Sequence, residues 1–426
     1  MSQATRILLA LAAGLLLGIL SAASGGPWVE RAISVADPIG GMWLDALRMT
    51  IIPLVVSLLI TGIAASAEAA RTSRLAARAV ILFLVILWIS AITAALLTPL
   101  LLNLWPMPAE SAAALKAALS NSQGKVGELP GFGEFLRSIV PTNPVAAAAN
   151  DAILPLILFT SVFAFAMTRL PTAPREQLTG FFRAISDAML VMIGWILWLA
   201  PIGVFALAYV VGARAGAAAF GALLHYILIV SAVGVVIWSL AYPVAVFGAR
   251  LRLMDFVRAV APSQAVAVST QSSLASLPAM LRSSEKLGVP VAASGVVLPL
   301  AVAIFRATGP AMNVAVAIYV AYWFGIELTP AHLAAGVAVA ATTTLGAVSL
   351  PGQISFITSV GPIGLAMGIP VEPLILLVAV ETLPDIIRTV GNVTMDVAAT
   401  AAVARRTGFD EAAAQTEEDR LLQADT

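Results

Sequence analysis

Cysteine is absent from all 426 residues, which removes disulfides, thiolate metal sites and cysteine nucleophiles together. Histidine occurs only at His225 and His332, too far apart in sequence for a paired metal motif, so no metal and no cofactor are expected. Charge is scarce as well. Only 11% of the residues are charged, against about 25% in soluble domains. The two signs cancel, 23 against 23, so the balance points to no nucleic acid and no acidic partner. What fills the chain is apolar: 60% of the residues, arranged in runs long enough to cross a hydrocarbon core of about 30 Å. No segment between those runs has the length to build a soluble core. The lipid bilayer is therefore the expected solvent, and one all-α integral membrane domain the expected fold class.

The first run, Ile7 to Ala22, follows Arg6 and ends in Ser-Ala-Ala-Ser-Gly-Gly. It reads as a first membrane helix rather than a cleaved signal peptide, because it exceeds a usual signal core and the rest of the chain is also membranous. Further runs fall near 42–66, 77–105, 139–168, 185–211 and 216–247, giving six spans before residue 250. Cytoplasmic loops collect arginine near membrane ends. Arg71, Arg74 and Arg78, then Arg169 and Arg175, then Arg250, Arg252 and Arg258, and finally Arg405 and Arg406 follow alternate spans, which places both termini in the cytoplasm of a multi-pass inner-membrane protein. The 106–138 connection reads as an outer loop, and the acidic stretch from Thr407 to Thr426 as a solvated tail.

After residue 255 the apolar runs are broken at intervals. Ser269-Thr270-Gln271-Ser272-Ser273-Leu274-Ala275-Ser276-Leu277-Pro278 and Thr342-Thr343-Thr344-Leu345-Gly346-Ala347-Val348-Ser349-Leu350-Pro351-Gly352 each lie between two short apolar arms. Each reads as a re-entrant hairpin whose tip reaches mid-membrane, where non-helical backbone is tolerated only against protein or a water-filled cavity. Paired interruptions of this kind point to a transporter binding site, since half-helix N-termini present positive dipole ends to anions. The competing reading, in which Ser and Thr merely join helices through hydrogen bonds, accounts for one cluster better than for two with matched prolines.

The last span carries Glu381, Asp385, Arg388, Thr389, Asn392 and Asp396 at spacings that place all six on one helical face. Each ionisable side chain within a membrane helix costs about 2.5–3.5 kcal/mol on insertion scales, so these must be paired or line a cavity. Asp385 and Arg388 alone would make a neutral core pair, but such a pair leaves the rest of the stripe unexplained. A small acidic substrate explains it better: Arg388 forks onto a carboxylate, Asp385 accepts an ammonium group, and Asn392 serves either end.

From residue 42 to about 406 the chain resembles the dicarboxylate/amino-acid:cation symporter family, the glutamate transporter homologues. The matching strings are Leu47-Arg48-Met49-Thr50-Ile51-Ile52-Pro53-Leu54-Val55, Ile139-Val140-Pro141-Thr142-Asn143-Pro144, and Ala200-Pro201-Ile202-Gly203-Val204-Phe205-Ala206-Leu207. The serine-rich string ending Ser276-Leu277-Pro278 and the run from Asp385 to Asn392 complete the match. The resemblance implies eight transmembrane helices plus two re-entrant helical hairpins, assembled as a homotrimer and working by an elevator motion. Scaffold helices would occupy 1–76 and 106–215, the latter with the outer loop, and the transport domain 77–105 and 216–406, followed by the tail 407–426. It gives Arg388 the substrate's side-chain carboxylate, Asp385 its amino group, and Thr389 and Asn392 supporting contacts. Ser272, Ser273 and the backbone at Leu350, Pro351 and Gly352 would hold the second carboxylate. Family members for plain C4-dicarboxylates tend to lack an acid at the Asp385 position, which favours aspartate or glutamate here.

The chain also departs from the family. The register set by Leu298-Pro299-Leu300 puts Phe305-Arg306-Ala307-Thr308-Gly309 where the family has Asn-Met-Asp-Gly-Thr, so oxygen ligands for a small cation are lost. A slip of one residue would make Thr308 a surviving ligand but would still leave Arg306 in the interruption. Ala347 replaces a further threonine oxygen, whereas Asp396 remains. Arg306 beside Asp396 would then act as a tethered cation in place of sodium, leaving either a proton, taken up by Glu381, Asp385 or Asp396, as the coupling ion, or no coupling and only exchange or equilibration of substrate. Gly309, where the family often has a threonine that touches substrate, leaves one contact missing. Three other functions remain in view: a C4-dicarboxylate symporter, a channel or sensor on the same scaffold, and an intramembrane hydrolase. The last lacks a Gly-x-Ser-x-Gly elbow with a nearby histidine, so no enzyme is expected.

Overall fold

The computed structural model describes residues 3–72, 74–107, 140–150, 152–215, 218–346, 352–371 and 373–407. Among them every regular element is helical. The first two are α1 (Gln3–Ser24) and α2 (Trp28–Thr72). The second starts well before the expected 42–66 run, because residues 28–41 carry Glu30, Arg31, Asp37 and Pro38, which lower hydropathy without ending the helix. α1 lies along α7 (Ala200–Ala215) as the most extensive helix pair of the fold. Small residues permit this: a Cβ at Gly18 would collide with the Tyr209 carbonyl.

α3 (Arg74–Leu104) matches the expected 77–105 span. The fourth run is two helices, α4 (Pro144–Ala149) and α5 (Ile153–Met167). Asn143 starts the former by accepting from the Val145 and Ala146 amides, and Pro144 provides a first-turn residue that needs no donor. The fifth run is also split, into α6 (Thr172–Trp198) and α7, with Pro201 in the first turn of the second piece. α8 (Ala218–Ser239) continues through one turn at Ala241–Pro243 and a π-turn at Val244–Gly248. Among the described residues, five helical stretches could each cross a membrane by length and composition: Met49–Glu68, Arg74–Leu104, Thr172–Trp198, Gly221–Gly248 and Val291–Phe324.

The remaining helices carry the interruptions. α9 (Leu253–Thr270) and α10 (Ser273–Lys286) form a hairpin tied between its arms by Ser263 Oγ and Ser283 Oγ, 2.6 Å apart. The break is narrower than the 269–278 string. Gln271 adopts a left-handed conformation (φ 50°), Ser272 caps α10 by accepting from the Ala275 amide, and Pro278 stands inside α10. α11 (Val291–Ile304) and α12 (Gly309–Phe324) flank a four-residue break at 305–308. α13 (Pro330–Thr343) ends in a 3₁₀ turn at Thr344–Gly346 and packs on α14 (Gly352–Ala366). Leu350, Pro351 and Ala347 lie outside the described residues, as do the 108–139 connection and the 408–426 tail. α15 (Leu374–Val380) and α16 (Thr382–Thr407) close the chain.

Two large apolar cores result among the described residues, with a small third cluster at Ile33, Tyr209 and Val210. One gathers α1, α2, the second half of α3, α5–α8 and α12–α15. The other gathers the first half of α3, α9, α10, α11 and the lower part of α16. The polar residues at the start of α16 sit where the two cores meet, beside α8 and the α11–α12 break.

Candidate functional site

α16 brings its expected polar stripe into the protein, not out to lipid. Glu381, Asp385, Arg388, Thr389, Asn392 and Asp396 are 1%, 7%, 5%, 5%, 4% and 0% exposed, so water reaches none of them freely. Glu381 needs correction: it is the turn residue between α15 and α16 instead of part of the helix. Pro384 near the α16 start is tolerated there because the first-turn amides have no intrahelical partner. The Glu381 backbone stays right-handed helical (φ −60°, ψ −25°) and its carbonyl accepts from the Asp385 amide at 2.9 Å, which keeps the carboxylate on the face of the stripe. Arg388 Nη2 lies 2.7 Å from Glu381 Oε1, while Arg388 Nη1 lies 3.6 Å from Asp385 Oδ1. The guanidinium is therefore held chiefly by Glu381, and the Asp385–Arg388 pair read from sequence is the looser of the two contacts.

Tyr226, on α8, donates to Glu381 Oε2 at 3.2 Å. Sequence reasoning did not find it, since a tyrosine inside an unbroken apolar run gives no signal. Its ring meets Tyr319 edge-on at 5.3 Å, and Tyr319 OH lies 2.9 Å from Nδ1 of His225. His225 Nε2 donates to the Trp105 carbonyl, which fixes the remaining ring nitrogen toward the tyrosine. The two histidines are thus structural in setting: His332 pairs with Thr329 at the start of α13. No group of three or more potential metal ligands occurs among the described residues.

Asn392 faces the α11–α12 break. Its Oδ1 accepts from the Thr308 amide at 2.9 Å and from the Thr308 hydroxyl at 2.8 Å, and the hydroxyl also lies 2.9 Å from the Arg388 carbonyl. The side chain expected to serve a substrate holds the interruption in place, and Thr308, read only as an alternative cation ligand, is the residue that joins the two elements. Gly391 makes this approach possible: a Cβ there would fall 2.5 Å from Thr308 Cγ2 and 3.1 Å from Trp238 Cβ. Lower on α16, Thr394 Oγ1 accepts from the Gln264 side chain on α9 at 3.0 Å.

The break itself is packed on both sides. Phe305 stacks on Phe83 of α3 with ring centres 4.3 Å apart, and Ser90 of α3 donates to the Ala307 carbonyl. Arg306 is partly buried, and its guanidinium lies in the field of Asp385, Asp396 and Arg388. Asp396 is fully buried, with no hydrogen-bond partner on either carboxylate oxygen among the described residues, and Arg306 is the positive charge near enough to influence it. Two arginines and three carboxylates thus gather around α16 and the break, Arg388 with Glu381 and Asp385 at 2.7 and 3.6 Å. A buried carboxylate without hydrogen bonds is costly unless a positive charge is near, so the arrangement holds together only as a unit.

Ser272 and Ser273 stand at the tip of the first hairpin, half-buried, where the hydrogen bonds of Ser272 stay within the turn. Gly352 begins α14. Among the described residues, the hydrogen bonds of Ser272 do not reach Arg388.

An all-helical bundle of apolar helices with a buried, charged stripe on its last helix is the frame of a solute carrier, and sequence comparison agrees. The profile of the Sodium:dicarboxylate symporter family matches residues 4–406, and the chain belongs to that family. It is 28% identical over 418 residues to the proton/glutamate-aspartate symporter of Escherichia coli K12, covering 95% of this chain and 92% of that protein. The proton/sodium-glutamate symport protein of Bacillus subtilis 168 is also 28% identical, over 421 residues, 97% of this chain and 95% of its own. The C4-dicarboxylate transport protein of Laribacter hongkongensis is 25% identical over 407 residues, 94% and 88% of the two chains. The protein is thus an integral membrane transporter and not an enzyme.

Proposed function

We propose that the protein carries acidic amino acids, aspartate or glutamate, by an elevator motion of its transport domain within a homotrimer, and that it does so without sodium. The observation that carries the reading is the Arg388 guanidinium, buried at the meeting of the two cores with Glu381 and Asp385 at 2.7 and 3.6 Å. A dry guanidinium with two nearby acids suits a ligand bearing one carboxylate for Arg388 and one ammonium for Asp385. Thr389 supports these contacts. Ser272, Ser273 and the 350–352 backbone take the second carboxylate when the hairpins close over it.

In this reading Arg306 stands permanently where relatives place a bound cation, neutralising Asp396 and steadying the α11–α12 break. A fixed charge carries no gradient energy, so the coupling ion is a proton. Glu381 is its carrier: the carboxylate that holds Arg388 in the empty site gives it up to substrate on becoming neutral. Two relatives are named for proton/glutamate-aspartate and proton/sodium-glutamate symport, which supports protons as a coupling ion in the family. The domain limits 1–76, 77–105, 106–215 and 216–406, and cytoplasmic termini in the inner membrane, belong to the same reading.

Counterflow of labelled aspartate in proteoliposomes tests it. Exchange of aspartate, competed by glutamate and only weakly by succinate, is the expected result. Exchange preferring succinate assigns the protein to C4-dicarboxylates, and ion current without exchange assigns it to a channel.

A further inference from the structure

The α3 N-terminus and the α16 C-terminus meet at one end of the bundle, far along α16 from Arg388. Arg78 Nη1 donates to the Arg406 carbonyl at 3.1 Å, so one guanidinium satisfies a helix-end acceptor while the second, Arg406, stands exposed beside it. Between the helices runs a groove of about 470 Å³ lined by Arg78, Ile81, Leu82, Val85, Val403 and Arg406, with Ala402 at its floor. Its wall is apolar and uncovered: Ile81 is 62% and Val85 49% exposed. Residues 78, 81, 82 and 85 share one face of α3 and give about 10 Å of apolar surface leading away from the two cations. A neighbouring groove brings Arg405 beside Leu251 and Pro290, so the loop after Arg250 shares this cation-rich end.

We propose that this groove binds an anionic phospholipid of the cytoplasmic leaflet, its phosphate between Arg78 and Arg406 and one acyl chain along Ile81 and Val85. Arginine suits phosphate because its planar fork offers parallel donors, and basic pockets between membrane helices on the cytoplasmic side are a recurrent place for acidic headgroups. Charge alone would accept free phosphate or the chain's own acidic tail. The apolar wall decides for lipid, since neither phosphate nor a polar peptide covers Ile81 and Val85. The bound lipid bridges α3 to α16 and so braces the helix that carries the buried charges.

Native mass spectrometry of the full-length protein in detergent, titrated with phosphatidylglycerol, phosphatidylcholine or inorganic phosphate, tests the site. Phosphatidylglycerol should stay bound at a concentration at least tenfold below that needed for phosphatidylcholine. Arg78→Gln with Arg406→Gln should raise the phosphatidylglycerol requirement about thirtyfold. Arg406→Gln alone, which keeps the Arg78 contact with the helix end, should raise it about fivefold. Arg252→Gln, exposed at the same end but outside the groove, should leave it unchanged. Equal binding of the two lipids, or equal retention by wild type and the double variant, overturns the proposal. Displacement of phosphatidylglycerol by millimolar phosphate would make this a free-anion site. Lipid binding that emerges only after deletion of residues 408–426 would give the groove to the tail, and either result also overturns it.

Discussion

The start of α16 and the break between α11 and α12 touch each other through Thr308 and Asn392, yet they differ in what they keep of the family's pattern. α16 retains Asp385, Arg388, Thr389, Asn392 and Asp396, all buried. The break has Phe305, Arg306 and Ala307 at positions where the resemblance implies asparagine, methionine and aspartate. α16 gathers buried acids around one guanidinium, whereas the break holds a ring stacked on Phe83. Under the proposed reading, substrate and driving ion would be recognised on different pieces of chain, joined by the Thr308–Asn392 hydrogen bonds.

The comparison breaks first if α16 does not bind substrate. Arg388→Ala should abolish aspartate binding measured by calorimetry, since removing one partner of a desolvated charge pair costs roughly 2–5 kcal/mol, about thirtyfold to several thousandfold in affinity. Unchanged binding would detach the stripe from recognition. Asp385→Ser should narrow or reverse the preference for aspartate over succinate in competition assays. A buried carboxylate left without its ammonium partner carries a penalty of about 1–3 kcal/mol, which the variant no longer imposes on succinate. Gly391→Ala tests whether the two elements must touch. The added methyl collides with Thr308 and Trp238, so the thermal midpoint should fall, with overpacking of about 1–3 kcal/mol, and aspartate affinity should fall with it. Tyr226→Phe is the mildest. It deletes one donor to Glu381, leaves both cores packed, and should change the pH dependence of aspartate binding more than its maximal affinity, with about 1 kcal/mol involved.

Much of this architecture was legible from residue patterns. The polar Ser-Thr-Gln-Ser-Ser break marks the first hairpin because such residues interrupt an apolar run, whereas the α11–α12 interruption at 305–308 carries no such signal and was expected only from the family resemblance. The burial of the α16 stripe was legible because six polar residues at helical spacing cannot all face lipid. Helix boundaries were less so: α2 runs through Pro38 and Pro53, which periodicity treats as stops, and the 139–168 run, read as one span, divides at Asn150, beside Asp151. Within the site, pairings escaped the sequence. Glu381 and Arg388 are two turns apart on one face, and spacing alone does not say that Glu381 holds the guanidinium closer than Asp385 does. Tyr226 and Thr308 reach α16 from other helices, and no spacing rule connects residues separated by 155 or 84 positions.

The central claim is that Arg306 occupies the role of a bound sodium ion. It is tested most directly by measuring aspartate affinity in matched sodium, potassium and choline buffers at fixed pH. The account predicts the same affinity in all three, and a loss of affinity in Arg306→Met that sodium partly restores. A tightening of wild-type binding by sodium of tenfold or more, about 1.4 kcal/mol of coupling between ion and substrate, would contradict it.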